Sequence, residues 1–298
     1  MRDSYDVVVV GGGAAGLAGA VALARFRRGV LVVDAGSPRN APAGHIHNFL
    51  GRDGIPPAEL LAAGRAELAG YGGEVVAGNV ASVHADGALG FRVILDGGGT
   101  VAARRVLFAA GVVDELPDVP GVAERWGRQV LHCPYCHGWE VRDQPIGVLA
   151  SSPMAIHQAR LFSQLSDDVV LFEHTASLGV EETRGIRCMP GKVVGLSTVD
   201  DGSVGVRLSG GEVVARAAVV VQPFLRARAE ALAPLGLLPV PVEMGGHTVG
   251  THIESGAGGA TAVPGLYVAG NVTDIQAQLV TSAAAGLAAG AAINADLL

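Results

Sequence analysis

Apolar positions along the chain fall into a pattern that occurs twice. Asp6–Val10 is an unbroken valine-rich run, as expected of a central parallel strand covered on both faces. Gly11-Gly12-Gly13-Ala14-Ala15-Gly16 follows, then a small-residue helical stretch, Leu17–Phe26, and a second apolar run, Val30–Val33, closed by Asp34. The order predicts strand, tight turn, helix, strand. No charge occurs from Val7 to Ala24, a length near that of a membrane span. Three glycines break the run and Asp6 and Asp34 bracket it, so it reads as a buried unit. The opening Met1-Arg2-Asp3-Ser4-Tyr5-Asp6 also lacks the net positive start of a secretory leader.

Further elements follow in order. A loop at 44–51 carries His45, His47 and Asn48, of which the two lone histidines read as hydrogen-bonded loop residues, and a helix is predicted around Pro57–Leu68. Glu74–Ala77, Ala81–His84 and Phe91–Leu95 alternate between turns at Asp86-Gly87 and Asp96-Gly97, predicting an antiparallel meander. Arg105–Ala109 returns to the parallel type and ends in Ala110-Gly111, and the proline-rich 116–121 marks a domain boundary. Then the opening pattern repeats: Ile146–Leu149, a turn, the helical Ala155–Leu165, and Val169–Phe172 closed by Glu173. A second meander is predicted over Lys192–Ser197, Val204–Leu208 and Val213–Val221, with turns at Asp201-Gly202 and Gly210-Gly211. Gly265–Asn271 reads as a strand ending in a glycine. The helix Thr281–Ile293 after it is almost wholly Ala, Gly and aliphatic, and is expected to be buried.

Composition narrows the class. With 298 residues, 49% hydrophobic and 16% charged, the chain suits two compact domains. A net charge of -7 without a Lys/Arg run argues against nucleic acid and anionic membrane as partners. Three cysteines are too few for a secreted disulfide scaffold and fit one redox pair plus a spare, Cys188, read as structural. The expected location is cytoplasmic.

The candidate chemistry is of two kinds. Gly11–Gly16 matches GxGxxG, and Asp34 lies 23 residues after Gly11. In such a unit Gly11 makes the turn, Gly13 lets backbone approach a pyrophosphate, and Gly16 permits close helix packing. The helix start faces phosphate and Asp34 accepts from a ribose hydroxyl. In the second copy Ala150, Ser152 and Ala155 stand where Gly11, Gly13 and Gly16 stood. A Cβ obstructs the turn and the approach to phosphate, so this unit reads as a dinucleotide fold that has lost its nucleotide. A degenerate but working NADH site is the competing reading. The second kind is His132-Cys133-Pro134-Tyr135-Cys136-His137-Gly138, a CxxC pair suited to dithiol–disulfide exchange. A structural zinc site would need ligands that no second CxxC supplies, so no metal is expected. Two inert buried cysteines are the other bland reading. CPYC also occurs in small glutaredoxins, but here a long nucleotide-binding half precedes it.

Together these residues resemble the low-molecular-weight thioredoxin reductase family over essentially the whole chain. The likeness rests on Gly11–Gly16, Asn48-Phe49-Leu50-Gly51, Ala110-Gly111, the CxxC, Gly270 and Gln278–Ala283. It implies an α/β fold of two Rossmann-like three-layer domains. The FAD domain (1–114 and 241–298) would be split around a central NADPH-like domain (115–240) that bears the CxxC. It implies a homodimer with FAD held by Gly11, Gly12, Gly13, Ala14, Ala15, Gly16, Asp34, Asn48, Val80, Ala110, Gly111, Gly270, Asn271, Gln278 and Leu279. Three departures from the family pattern stand out. The NADPH fingerprint and its basic stretch are gone, His137 replaces the acid after CxxC, and Asn271 replaces an Asp. These look like the dithiol oxidases that close disulfides in holomycin-, gliotoxin- and romidepsin-type natural products. By that resemblance Cys133 exchanges with a small-molecule dithiol, Cys136 faces the flavin, and O2 takes the electrons as hydrogen peroxide. His137 would act as general base. The competing functions are a disulfide reductase fed by NADH, NADPH or another donor, and a non-catalytic flavin sensor or dithiol-sequestering protein.

Overall fold

The computed structural model describes residues 2–87, 90–176, 178–179, 183–199 and 202–298, in which four sheets form. At the centre of the first, seven-stranded sheet lies β1 (Ser4–Val10), parallel to β2 (Val30–Asp34). Val7, Val8 and Val9 are wholly buried, which is why the run shows no alternation. Helix α1 (Ala14–Arg25) crosses from β1 to β2, and α2 (Pro57–Gly70) from β2 to β3 (Glu74–Ala77). β4 (Val80–Asp86), β5 (Gly90–Leu95) and the first half of β6 (Thr100–Phe108) form an antiparallel meander, while β6 also runs parallel to β1. Glu74–Ala77 is therefore not a meander strand. The α2 crossover brings it back in the original direction, parallel to β2 at the sheet edge.

The chain leaves this sheet through β7 (Val112–Glu115). β8 (Val130–Leu131) leads to a single helical turn, α3 (Pro134–His137), then β9 (Ile146–Ala150), α4 (Met154–Phe162), β10 (Val169–Glu173) and β11 (Arg187–Met189). β12 (Val193–Thr198), β13 (Val204–Leu208) and β14 (Val213–Arg216) make the second meander, and β15 (Ala218–Val220) follows at once. The expected single strand 213–221 is thus two. The Ala217 N–H bonds the Pro145 carbonyl instead of the meander, and β15 joins β9 in parallel within the sheet β11-β10-β9-β15-β8. Of the predicted turns, Asp201 lies outside the described residues.

The return runs through β16 (Phe224–Ala227), antiparallel to β7. With β17 (Val240–Met244) and β18 (His247–His252) these two make a four-stranded sheet, so the outgoing and returning strands lie side by side. β19 (Leu266–Val268) then pairs with the second half of β6, completing the first sheet from the far end of the chain. The last helix, α5 (Leu279–Asp296), packs on α1. It is not buried all round. Ser282, Gly286, Ala289, Gly290 and Ile293 form one inward stripe, whereas Val280 and Leu287 are 44% and 56% exposed. The inward stripe is tight because of its glycines: a Cβ on Gly290 would stand 2.8 Å from the Gly19 carbonyl oxygen. No helix among the described residues is long and apolar enough to cross a membrane.

Candidate redox and cofactor site

Several strand ends and two helix starts converge on one cavity of about 830 Å³. β1 ends in Gly11, whose φ of +100° turns the chain out of the sheet, and a side chain there would meet the Ala109 carbonyl oxygen at 2.5 Å. Gly16 does not line the cavity. A Cβ on it would overlap the Gly11 carbonyl oxygen, so it serves helix–strand contact. Gly13 lines the wall, and a Cβ there would meet no protein atom within 4 Å, leaving the space beside its backbone open to a ligand.

Helix α1 starts at Ala14 with no side-chain cap, and α5 starts at Leu279 equally uncapped, with Gln278, Leu279 and Ser282 on the wall. The first N–H groups of a helix lack intrahelical partners, so two such starts on one cavity favour an anionic occupant. Gly12, Ala14, Ala15, Asp34, Val80, Ala110, Gly111, Gly270 and Asn271 also line it. Asp34 accepts the Gly12 N–H at 3.1 Å. Asn271 donates to the carbonyls of Asp274, Ile275 and Ala277 at 3.0, 3.3 and 2.9 Å, fixing the loop that delivers Gln278. An open glycine cradle, two uncapped helix starts and an acid at the end of β2 fit a pyrophosphate-bearing dinucleotide.

The redox turn borders the same cavity. Cys133 is extended at the start of α3, Pro134 takes the first helical position, and Cys133 and Cys136 form a disulfide with Cα atoms 5.2 Å apart. The Cys136 N–H donates to the Cys133 carbonyl at 3.2 Å. Beside it His132 is half-buried, its Nε2 3.2 Å from Gln222 Oε1. The same oxygen accepts from Gln158 Nε2 at 3.2 Å, which assigns the Gln222 amide and makes His132 Nε2 the donor. Burial, aided by the nearby Arg39 charge and opposed by Asp114 and the Gln222 hydrogen bond, pushes His132 down to about 4. Arg39 meets Asp114 with two hydrogen bonds, 2.8 and 2.7 Å.

His137 also lines the cavity, and its Nε2 is buried with no partner among the described residues. Burial lowers its proton affinity, Glu140 opposes this, and His47 adds to it. A ring held neutral can accept a proton from a thiol. Asn48 does not line the cavity. Its amide donates to the Tyr135 carbonyl at 2.5 Å, outside the nucleotide cradle. Gln158, Gln222 and Glu140 had no sequence signal; His132 was marked by its place before Cys133, but its bond to Gln222 was not.

The repeated unit is built differently. The N–H groups of Thr175 and Ala176 both donate to the Ala150 carbonyl, at 3.2 and 2.9 Å, and the Thr175 hydroxyl to the Ser151 carbonyl at 3.3 Å. The loop after β10 is thereby tied across the end of β9. A cavity of about 640 Å³ persists beside it, lined by Ser151, Ser152, His174 and Lys192 among others. Cys188, expected to be structural, is exposed on β11, an edge strand that leaves its side chain outside the core. Among the described residues no group of three or more His, Cys, Asp or Glu is placed to hold a metal.

Comparison with known proteins agrees with this geometry. Residues 5–286 match the family described as pyridine nucleotide-disulphide oxidoreductase. A probable thioredoxin reductase of Arthroderma benhamiae is 34% identical over 184 residues, covering 60% of this chain and 46% of that one. Thioredoxin reductase tcpT of Claviceps purpurea is 36% identical over 182 residues, 57% of this chain and 55% of its own. The matches thus span about half the length of these curated relatives. The crystal structure of HlmI superposes with a TM-score of 0.91 at 45% identity, covering 100% of this chain and 93% of that chain.

Proposed function

This chain belongs to the pyridine nucleotide-disulphide oxidoreductase family, and from that premise we propose that it is an FAD-dependent dithiol oxidase. It closes an intramolecular disulfide in a small, natural-product-like dithiol. The observation that carries the reading is a contrast between the two repeated units. The first opens, with Gly13 and two helix starts, on the cavity that also holds the Cys133–Cys136 disulfide; the second has its turn tied across by Thr175 and Ala176. Electrons therefore enter through sulfur.

In this mechanism one substrate thiolate attacks Cys133, the Cys133–Cys136 bond breaks, and Cys136 leaves as thiolate. The second substrate thiolate attacks the first substrate sulfur, releasing Cys133 as thiolate and the substrate as a cyclic disulfide. The substrate loses two electrons and two protons, and the cysteine pair gains the electrons. His137, kept neutral by burial, takes a thiol proton beside Cys136. Gly11–Ala15 and the starts of α1 and α5 hold the dinucleotide. When bound, FAD would supply the acceptor for the electron pair and the route by which O2 is reduced to hydrogen peroxide. Tyr135 and Trp139, each 64% exposed beside the disulfide, offer apolar surface suited to a small organic substrate.

A second reading, a reductase fed by NADH or NADPH, is favoured by the cavity remaining beside Ser151 and Ser152. Anaerobic stopped-flow mixing of the FAD-loaded protein with small dithiols, NADH or NADPH separates the two, with air admitted afterwards. Bleaching by dithiols alone, followed by peroxide release in air, supports the oxidase. Rapid bleaching by either nicotinamide overturns it in favour of the reductase.

A further inference from the structure

The geometry points to a clamp on the redox turn: His47 and Asn48, from the loop before α2, hold the Cys133–His137 turn and the turn that continues it, and act as positioning residues for electron transfer out of the cysteine pair. The clamp rests on the dithiol–flavin reading above for its purpose, but its geometry is independent of it. Helix α3 is a single turn, and a helix that short is not stable by itself, so outside contacts must set its place. Two adjacent residues supply them. Asn48 donates to the Tyr135 carbonyl at 2.5 Å, inside α3. His47 Nε2 meets Glu140 Oε1 at 3.3 Å, on the turn that continues α3.

The arm itself is braced. Ile46 is buried and exchanges backbone hydrogen bonds with its loop, its N–H to Ile55 at 2.9 Å and its carbonyl from Gly54 at 2.8 Å. His47 and Asn48 therefore project from a closed ring of chain. Asn48 adopts φ +59°, a left-handed conformation that asparagine tolerates better than most residues but that needs local bonds to hold it. His47 Nδ1 meets Asp53 Oδ1 at 3.1 Å, so its two nitrogens face two carboxylates, and only the doubly protonated ring donates to both. The charged and titratable groups facing His47 are Asp53, Glu140 and His137.

The test uses the FAD-loaded full chain with Asn48→Gly, His47→Ala and His47→Gln. Glycine keeps the left-handed backbone and deletes only the donor; glutamine keeps a donor toward Glu140. The first readout is the long-wavelength thiolate–flavin absorbance after two-electron reduction by dithiothreitol. The second is the rate at which a maleimide alkylates the reduced cysteine pair. N48G and H47A are expected to lose most of the absorbance and to alkylate faster by up to about tenfold, the scale of one lost hydrogen bond. H47Q should restore the wild-type behaviour in large part. Wild-type absorbance and alkylation in both N48G and H47A would overturn the clamp. A wild type that dithiothreitol fails to bleach would refute the dithiol–flavin reading instead, and the alkylation rates would still decide the clamp.

Discussion

Gly286 is where helix packing and cofactor binding meet, and Gly286→Ala tests whether they are coupled. The new Cβ would overlap the Ala15 carbonyl oxygen and lie 2.6 Å from its carbon and 2.8 Å from its Cα. Backbone cannot swing aside as a side chain can, so α5 must move off α1 by roughly 1 Å, an overpacking that costs about 1–3 kcal/mol. Ala15 lies in the first turn of α1, and Gln278, Leu279 and Ser282 at the start of α5 share the cavity with it. The separation therefore falls on both helix starts. The expected outcome is an apoprotein melting about 2–8 °C lower and FAD bound about tenfold more weakly, since 1.4 kcal/mol is one decade of affinity. Thermal melting and titration of apoprotein with FAD, followed by flavin fluorescence, measure the two. Gly70→Ala is the control: it closes α2, a Cβ there meets nothing within 4 Å, and alanine favours a helix by roughly 0.5–1 kcal/mol. Wild-type melting and FAD affinity in G286A would refute the coupling.

Three further outcomes are expected. His137→Ala slows flavin bleaching by dithiols by about 10²–10⁴-fold while leaving FAD bound, and unchanged stopped-flow kinetics would remove this imidazole from the mechanism. His132 titrates near 6.5 when unfolded but at about 4 in the fold, so between these values the unfolded chain binds more protons. Its contribution, about 3 kcal/mol, is present above pH 6.5 and lost as pH falls toward 4. Urea unfolding at pH 7 and 4.5 should show a shallower loss in His132→Gln, and equal slopes would contradict the assignment. Cys136→Ser should abolish bleaching by dithiols, because the Cys133–Cys136 disulfide cannot form, and should let a linear disulfide of a monothiol exchange onto Cys133 with release of one thiolate, leaving a mixed disulfide visible by intact mass; bleaching at the wild-type rate would take the cysteine pair out of the electron path.

What could be read in advance depended on the range of the interaction. The β1–α1–β2 unit is written in neighbouring residues: a valine run buried on both faces, a turn needing φ +100° at Gly11, and an acid closing β2. The direction of Glu74–Ala77 was not, because alternation fixes which faces a strand shows and not which neighbour it takes. Likewise 213–221 looks like one apolar strand until the Pro145 carbonyl claims the Ala217 N–H. In α5 the inward face is marked by glycine and serine against alanine, too slight a contrast to separate it from an outward face carrying Val280 and Leu287. The contacts of Asn48 with Tyr135 and of Gln158 with His132 and Gln222 join distant segments, and nothing local to any of these residues announces them.

The two repeated units show how one topology is turned to opposite ends. Both run strand, turn, helix, strand, and both close with an acid, Asp34 and Glu173. In the first, the backbone beside Gly13 faces open space, and the acid bonds back to Gly12. In the second, three hydrogen bonds from Thr175 and Ala176 to Ala150 and Ser151 tie the loop after β10 to the end of β9. A nucleotide that had to open all three, at a net of about 1 kcal/mol each, would lose about 3 kcal/mol of binding, a weakening of roughly 100-fold. A penalty of this size would not forbid a nicotinamide at high concentration, but would put it at a disadvantage to a dithiol that reaches the Cys133–Cys136 disulfide on the larger cavity. On the oxidase reading proposed above, a preference for sulfur over hydride would come from a loop closed across one strand end, and equal bleaching rates with NADH and with a dithiol at matched concentrations would refute it.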